Sequence, residues 1–140
     1  MESRMMNTLG LIAGLSTFLG IWLGHVGVRK IEHAAPKLWL PVLLALLLGL
    51  ICEYLSLQIE TIWLSTVFGI LGVTLLWDGL ELMRQEMRVK KGHAPANPSN
   101  PRHINFILEI PAATVQDFLD RDPIGQPVSP DKALQLFPER

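Results

Sequence analysis

The stretch LWLPVLLALLLGLI, residues Leu38 to Ile51, decides the fold. It holds no charged side chain, and its one proline, Pro41, sits in the first turn of any helix starting there, where a missing backbone donor costs little. A bilayer core about 30 Å thick needs about 20 apolar residues in a helix. Extended to about residues 38–57, the stretch meets that length, and so do two others, at about 8–28 and 61–83. The expected fold class is an all-α membrane protein with three transmembrane helices, a cytoplasmic extension of the third, and an extended, partly structured C-terminal tail. The expected division is a transmembrane domain over 1–93, a Pro/Asn-rich linker over 94–101 and a tail over 102–140. The first span could be mistaken for a cleaved signal peptide. Its start, MESRMMNT, is barely basic and its apolar core is longer than a signal core, so it reads as a retained helix.

The chain has 140 residues, enough for one domain, and a net charge of −1, which argues against a phosphate-facing nucleic-acid surface. Cys52, the single cysteine, has no partner for a disulfide or a zinc motif and reads as a small buried hydrophobe.

The flanking cations set an expected orientation. Arg29, Lys30 and Lys37 lie between spans one and two, and Arg84, Arg88, Lys90 and Lys91 follow span three, whereas Gln58 to Glu60 carry no Lys or Arg. Both basic segments are expected on the cytoplasmic side, with the N-terminus outside. Trp22, Trp39 and Trp77 then lie toward the cytoplasmic ends, and Tyr54 and Trp63 toward the outer ends.

Span one carries a stripe of small residues: Gly10, Ala13, Thr17, Gly20, Gly24 and Gly27, at alternating steps of three and four. Gly10–Gly14 and Gly20–Gly24 are also GxxxG pairs, a spacing that lets another helix approach closely in lipid. The partner is a helix of the same chain or of a neighbouring protein. Beyond Trp77, the sequence GLELMRQEMRVKK predicts a helix running out of the membrane, with Glu81 near Arg84 or Gln85 and Glu86 near Lys90. Gly92 is expected to stop it, with Pro95 following.

The strings GLIAGLSTFL, HVGVRKIEH and LLWDGLELMRQEMRVKKGHAPANP make the chain similar to a family of small bacterial membrane proteins, domain-of-unknown-function family 4491, over about Asn7 to Pro98. The sharpest part is Trp77, Glu81, Arg88-Val89, Lys91-Gly92 and Asn97-Pro98; His25 and the Lys30–Glu32 pair form a second patch. Val26 stands where the family pattern has proline, and His93-Ala94 where it has an aromatic pair. The resemblance implies a topology and no activity.

APANPSNP, residues 94–101, reads as a stiff linker. INFILEI follows, with Ile104, Phe106, Leu108 and Ile110 alternating as in a strand, although Ile107 interrupts the alternation. Short helices are expected from about Pro111 to Leu119 and over Lys132 to Phe137 behind a Ser129-Pro130-Asp131 start. A tail this short rarely builds its own core. Its apolar residues, Ile104, Phe106, Leu108, Ile110, Phe118, Leu134 and Phe137 foremost, are therefore expected to dock on a partner subunit, with strand addition as one mode.

Chemistry is sparse. His25, Asp78 and Glu81 are expected at similar depth near the cytoplasmic face. They could ligate a metal or relay protons, and His25 could hold a haem or chlorophyll metal, but Arg29, Lys30 and Arg84 are near enough to neutralise the acids. No cofactor is otherwise called for. His33, His93 and His103 show no ligand spacing, Glu53 and Glu60 are expected to reach water at the outer turn, and no charge is expected at the centre of a span. No catalytic motif appears. The leading expectation is a non-catalytic accessory or structural subunit of a larger bacterial inner-membrane complex. The alternatives are a small homo-oligomeric channel or transporter, or an electron-transfer subunit ligating a cofactor through His25.

Overall fold

The structure, a computed structural model, describes residues 8–117. Three long helices, α1 (Leu9–Ala34), α2 (Trp39–Gln58) and α3 (Ile62–Lys90), are each long and apolar enough to cross a membrane, and a short fourth helix, α4 (Pro101–Glu109), follows. The protein is a multi-pass all-α membrane protein. Most large apolar side chains on the three long helices point outward, Leu11, Phe18, Leu50 and Val73 among them, as expected where the surrounding solvent is hydrocarbon. Threonine hydroxyls within the spans bond to their own helix: Thr17 Oγ1 donates to Ala13 O at 2.8 Å and Thr74 Oγ1 to Ile70 O at 2.7 Å.

The helix ends differ from the hydropathy pattern in one instructive way. α1 continues past Val28 through Arg29, Lys30 and Glu32, which belong to its last turns and not to a loop. Hydropathy marks the lipid-facing length of a helix, while the helix itself runs on until its backbone finds other partners. α3 runs on in the same manner and ends as its sequence predicts, at a glycine. Gly92 has φ +71°, its N–H bonds to Val89 O, and His93 N–H reaches back to Arg88 O, a complete Schellman closure.

α3 is the middle helix. It packs on both α1 and α2, which hardly touch each other. Thr74 and Asp78 face Gly20 and Gly24 of α1, whereas Gly69, Gly72, Leu76 and Gly79 meet Ser56, Glu53, Gly49 and Leu46 of α2. At roughly 100° per residue these two sets lie about 160° apart around α3. The flanking helices therefore sit on nearly opposite sides, and a furrow is left along each face of the bundle. The tightest approach lies between α2 and α3: a Cβ on Gly49 would fall 3.0 Å from Gly72 O, so only glycine lets these backbones come so near.

INFILEI is not a strand. Asn100 caps α4, its Oδ1 accepting from Arg102 N–H at 3.0 Å, and Pro101 occupies the first turn. With a period of 3.6, His103, Phe106, Ile107 and Ile110 turn toward the protein, while Ile104 and Leu108 face out. The Ile107 that interrupted the alternation was the mark of a helical face. The expected helix from about Pro111 is also absent over the described residues 111–117, which form turns and irregular chain. Phe118, Leu134, Phe137 and the helix expected over 132–137 lie outside the described residues.

Candidate functional site

Two polar features stand out, one at the α4 end of the bundle and one within it. The first begins with an unmet need. The last carbonyls of α1 have no partner inside their own helix. The segment after α3 supplies them. Asn97 Nδ2 donates to His33 O at 3.0 Å, and Asn100 Nδ2 donates to His33 O at 3.1 Å and to Ala35 O at 3.0 Å. Arg102 Nη2 donates to Glu32 O at 2.6 Å. What reads as a linker, residues 94–101, is a folded clamp. Asn100 N–H bonds to Asn97 O, Ala96 N–H bonds to Thr114 O, and Ala96 and Asn100 are buried.

Inside this clamp lies Glu32, only 1% exposed. Its Oε1 accepts from Arg102 Nη2 at 3.0 Å and lies 2.9 Å from Nε2 of the fully buried His103. Arg102 also reaches Glu86 Oε2 of α3 at 3.0 Å, and Glu86 pairs in turn with Lys90. One guanidinium thus joins α1, α3 and α4, a use that suits its planar fork of donors. Phe106 stacks on the His103 ring, centroids 5.6 Å apart, and lies beneath the Lys90 ammonium at 4.7 Å.

The tautomer of His103 follows from its neighbours. Asn97 N–H donates to Nδ1 at 2.9 Å, so Nδ1 must be the bare nitrogen and Nε2–H the donor to Glu32. Protonating Nδ1 would set donor against donor. Burial pushes the imidazole below its ordinary value of 6.5, while the hydrogen bond and charge of Glu32 pull the other way and Arg102 and His33 add to the lowering. The undocked ring takes up its proton first as pH falls, so the docking contribution is whole above 6.5 and is lost as pH drops from there through the depressed value of the folded state. Protection of the α4 amides, taken relative to their intrinsic exchange at each pH, should therefore be greatest above neutrality and fall on moderate acidification, and His103→Asn should flatten that dependence. A pH profile unchanged in His103→Asn would assign the effect to another group.

The second feature is a furrow of about 710 Å³ on one face of the bundle, bordered by Thr17, Ile21 and His25 of α1, by Glu53 of α2, and by α3 from Gly69 to Glu81. It does bring His25, Asp78 and Glu81 to one place. Glu81 is buried and already paired, with Arg88 and, at 3.5 Å, with Arg84, whose guanidinium lies 4.8 Å from the Trp77 ring centre. Among the described residues, no group of three His, Cys, Asp or Glu side chains could hold a metal ion.

Glu53 departs from expectation. It does not simply reach water at the outer turn: its Oε1 is buried without a hydrogen-bond partner among the described residues, against Gly72 near the middle of the third span. A Cβ on Gly72 would fall within 2.4 Å of that oxygen, so the bare glycine is what admits the carboxylate. A carboxyl side chain does approach the centre of a span, reaching across from α2.

The small-residue stripe of α1 divides. Gly20 and Gly24 face α3, while among the described residues nothing lies within 4 Å of a Cβ placed on Gly10, Gly14 or Gly27. Thr17 borders the acidic furrow, and Ala13 accepts the Thr17 hydroxyl. Of the apolar tail residues, Phe106 and Ile110 are half-buried against the chain itself, whereas Ile104 and Leu108 are exposed, Leu108 by 77%. Glu32, Asn97, Asn100, Arg102, His103 and Glu53 were not singled out by sequence as site residues. The repeated Asn-Pro steps at 97–98 and 100–101 were the available signal, each a turn or cap signature.

Residues 7–100 match the family described as Domain of unknown function (DUF4491). No curated protein and no solved structure matches the chain.

Proposed function

Because this chain belongs to the family of the domain of unknown function DUF4491, whose description carries no activity, we propose from its own residues that it is a non-catalytic accessory subunit of a larger membrane complex. The carrying observation is the unclosed bundle. α1 and α2 hardly touch, and the face opposite the acidic furrow is a second furrow of about 420 Å³, lined by Gly20, Gly24 and Gly27 of α1 and by Pro41 and Ala45 of α2. Small residues along an apolar furrow favour close approach of another transmembrane helix. The outward Ile104 and Leu108 of α4 offer a second contact beyond the membrane, and the Glu32 clamp holds α4 in place to make it. Basic residues at the α4 end support placing that end in the cytoplasm of a bacterial cell, with the N-terminus outside the inner membrane.

Gly27→Leu tests this, since it projects a side chain into the furrow from a position where an added Cβ meets nothing within 4 Å among the described residues. After gentle detergent extraction, the natural protein should migrate within a hetero-complex and Gly27→Leu as the free chain, with the same melting temperature. A homo-oligomer would favour the channel or transporter reading, and a hetero-complex that survives Gly27→Leu would remove the furrow from the interface.

A further inference from the structure

The acidic furrow lies on the other face and has a different character. We propose that it binds a bulky monovalent organic cation, an ammonium or phosphonium ion with an apolar body, with Glu53 as its counter-charge. Its volume of about 710 Å³ falls in the range of small-molecule sites, roughly 300–1,000 Å³. Ile21, Ile70, Val73 and Trp77 supply apolar wall, and among the described residues no Lys or Arg borders it. The hydroxyls of Thr17 and Thr74 are spent on their own helices. Glu81 is neutralised by Arg84 and Arg88.

That leaves Glu53. A carboxylate at membrane depth is costly unless a cation or a proton answers it. Its Oε1 has neither solvent nor a donor, and Gly72 leaves the room in which it sits. A small hard cation would require several converging ligands, and among the described residues no group of three His, Cys, Asp or Glu side chains converges to supply them. A large cation of low charge density needs only one counter-charge, apolar contact and an aromatic wall, which Trp77 supplies. The inference goes beyond the accessory-subunit reading and uses a different face of the bundle, so each can fail alone.

The test is equilibrium binding of radiolabelled tetraphenylphosphonium to the purified full chain in detergent micelles. Saturable binding is expected, weakened by roughly tenfold or more in Glu53→Gln, which removes the counter-charge and little else. Val73→Trp should abolish it by filling the furrow. Val73 is 63% exposed, so this change spares the packing and decides the matter should Glu53→Gln fail to fold. Non-saturable partitioning in the natural protein would overturn the proposal, as would equal affinity in a folded Glu53→Gln variant or undiminished binding in Val73→Trp.

Discussion

Glu32→Ala is expected to release α4 from the bundle while leaving the three long helices in place. The substitution strips the buried imidazole N–H of its acceptor and takes from Arg102 its link to α1 through that carboxylate. Removing one partner of a buried ion pair costs roughly 3–5 kcal/mol, because the other is left desolvated and uncompensated. Arg102 keeps Glu86 and the Glu32 carbonyl, so the lower end, about 3 kcal/mol, is the expected loss. Amide exchange across α4 should quicken by roughly a hundredfold, with α2 unchanged. Arg102→Lys should fall between the two, since an ammonium cannot span Glu32 and Glu86 as a planar fork does. Natural protection of α4 in Glu32→Ala would mean that the apolar contacts of Phe106 and Ile110 alone hold the helix.

The second large effect is expected at Gly92. Its φ of +71° costs a residue with a side chain about 1–2 kcal/mol. The new Cβ would also lie 2.2 Å from Ala112 O. That oxygen belongs to the backbone and cannot swing aside, so the chain around residue 112 must move and the Ala96–Thr114 hydrogen bond is at risk. Together the two terms make Gly92→Ala destabilising by about 3 kcal/mol. Thermal unfolding in detergent and new protease cleavage near residues 110–117 would show it. Gly10→Ala is the matched control. It lies in α1 with nothing within 4 Å of the added methyl, and should leave the midpoint unchanged or slightly raised.

These positions show which parts of the molecule could be read in advance. The Glu81–Arg84 and Glu86–Lys90 pairs were legible because they are three and four residues apart on one helix. The stop at Gly92 was legible because a glycine after a basic turn is a local signature. The helical face of α4 is present too, in Phe106, Ile107 and Ile110, but a short apolar run fits two periods almost equally well, and the alternation of Ile104, Phe106, Leu108 and Ile110 points to the wrong one. The Glu32 clamp had no local signal. Asn97, Asn100 and Arg102 are remote in sequence from the carbonyls they satisfy, and any exposed Asn or Arg would look the same until the end of α1 is brought to it.

The same distinction applies to the stretch Leu38–Ile51. By itself it determined that the chain enters a bilayer, and with its two counterparts it determined how many times. Transfer from water to hydrocarbon depends on each side chain and on the length of the run, and both are properties of contiguous sequence. Only the tertiary structure decided that Gly49 within that stretch is a point of backbone contact, that Glu53 just beyond it turns inward against Gly72, and that α1 and α2 stand apart on either side of α3. Close packing and the pairing of buried polar groups depend on which elements meet. The solvation that puts three helices in a membrane does not specify which faces they turn to one another.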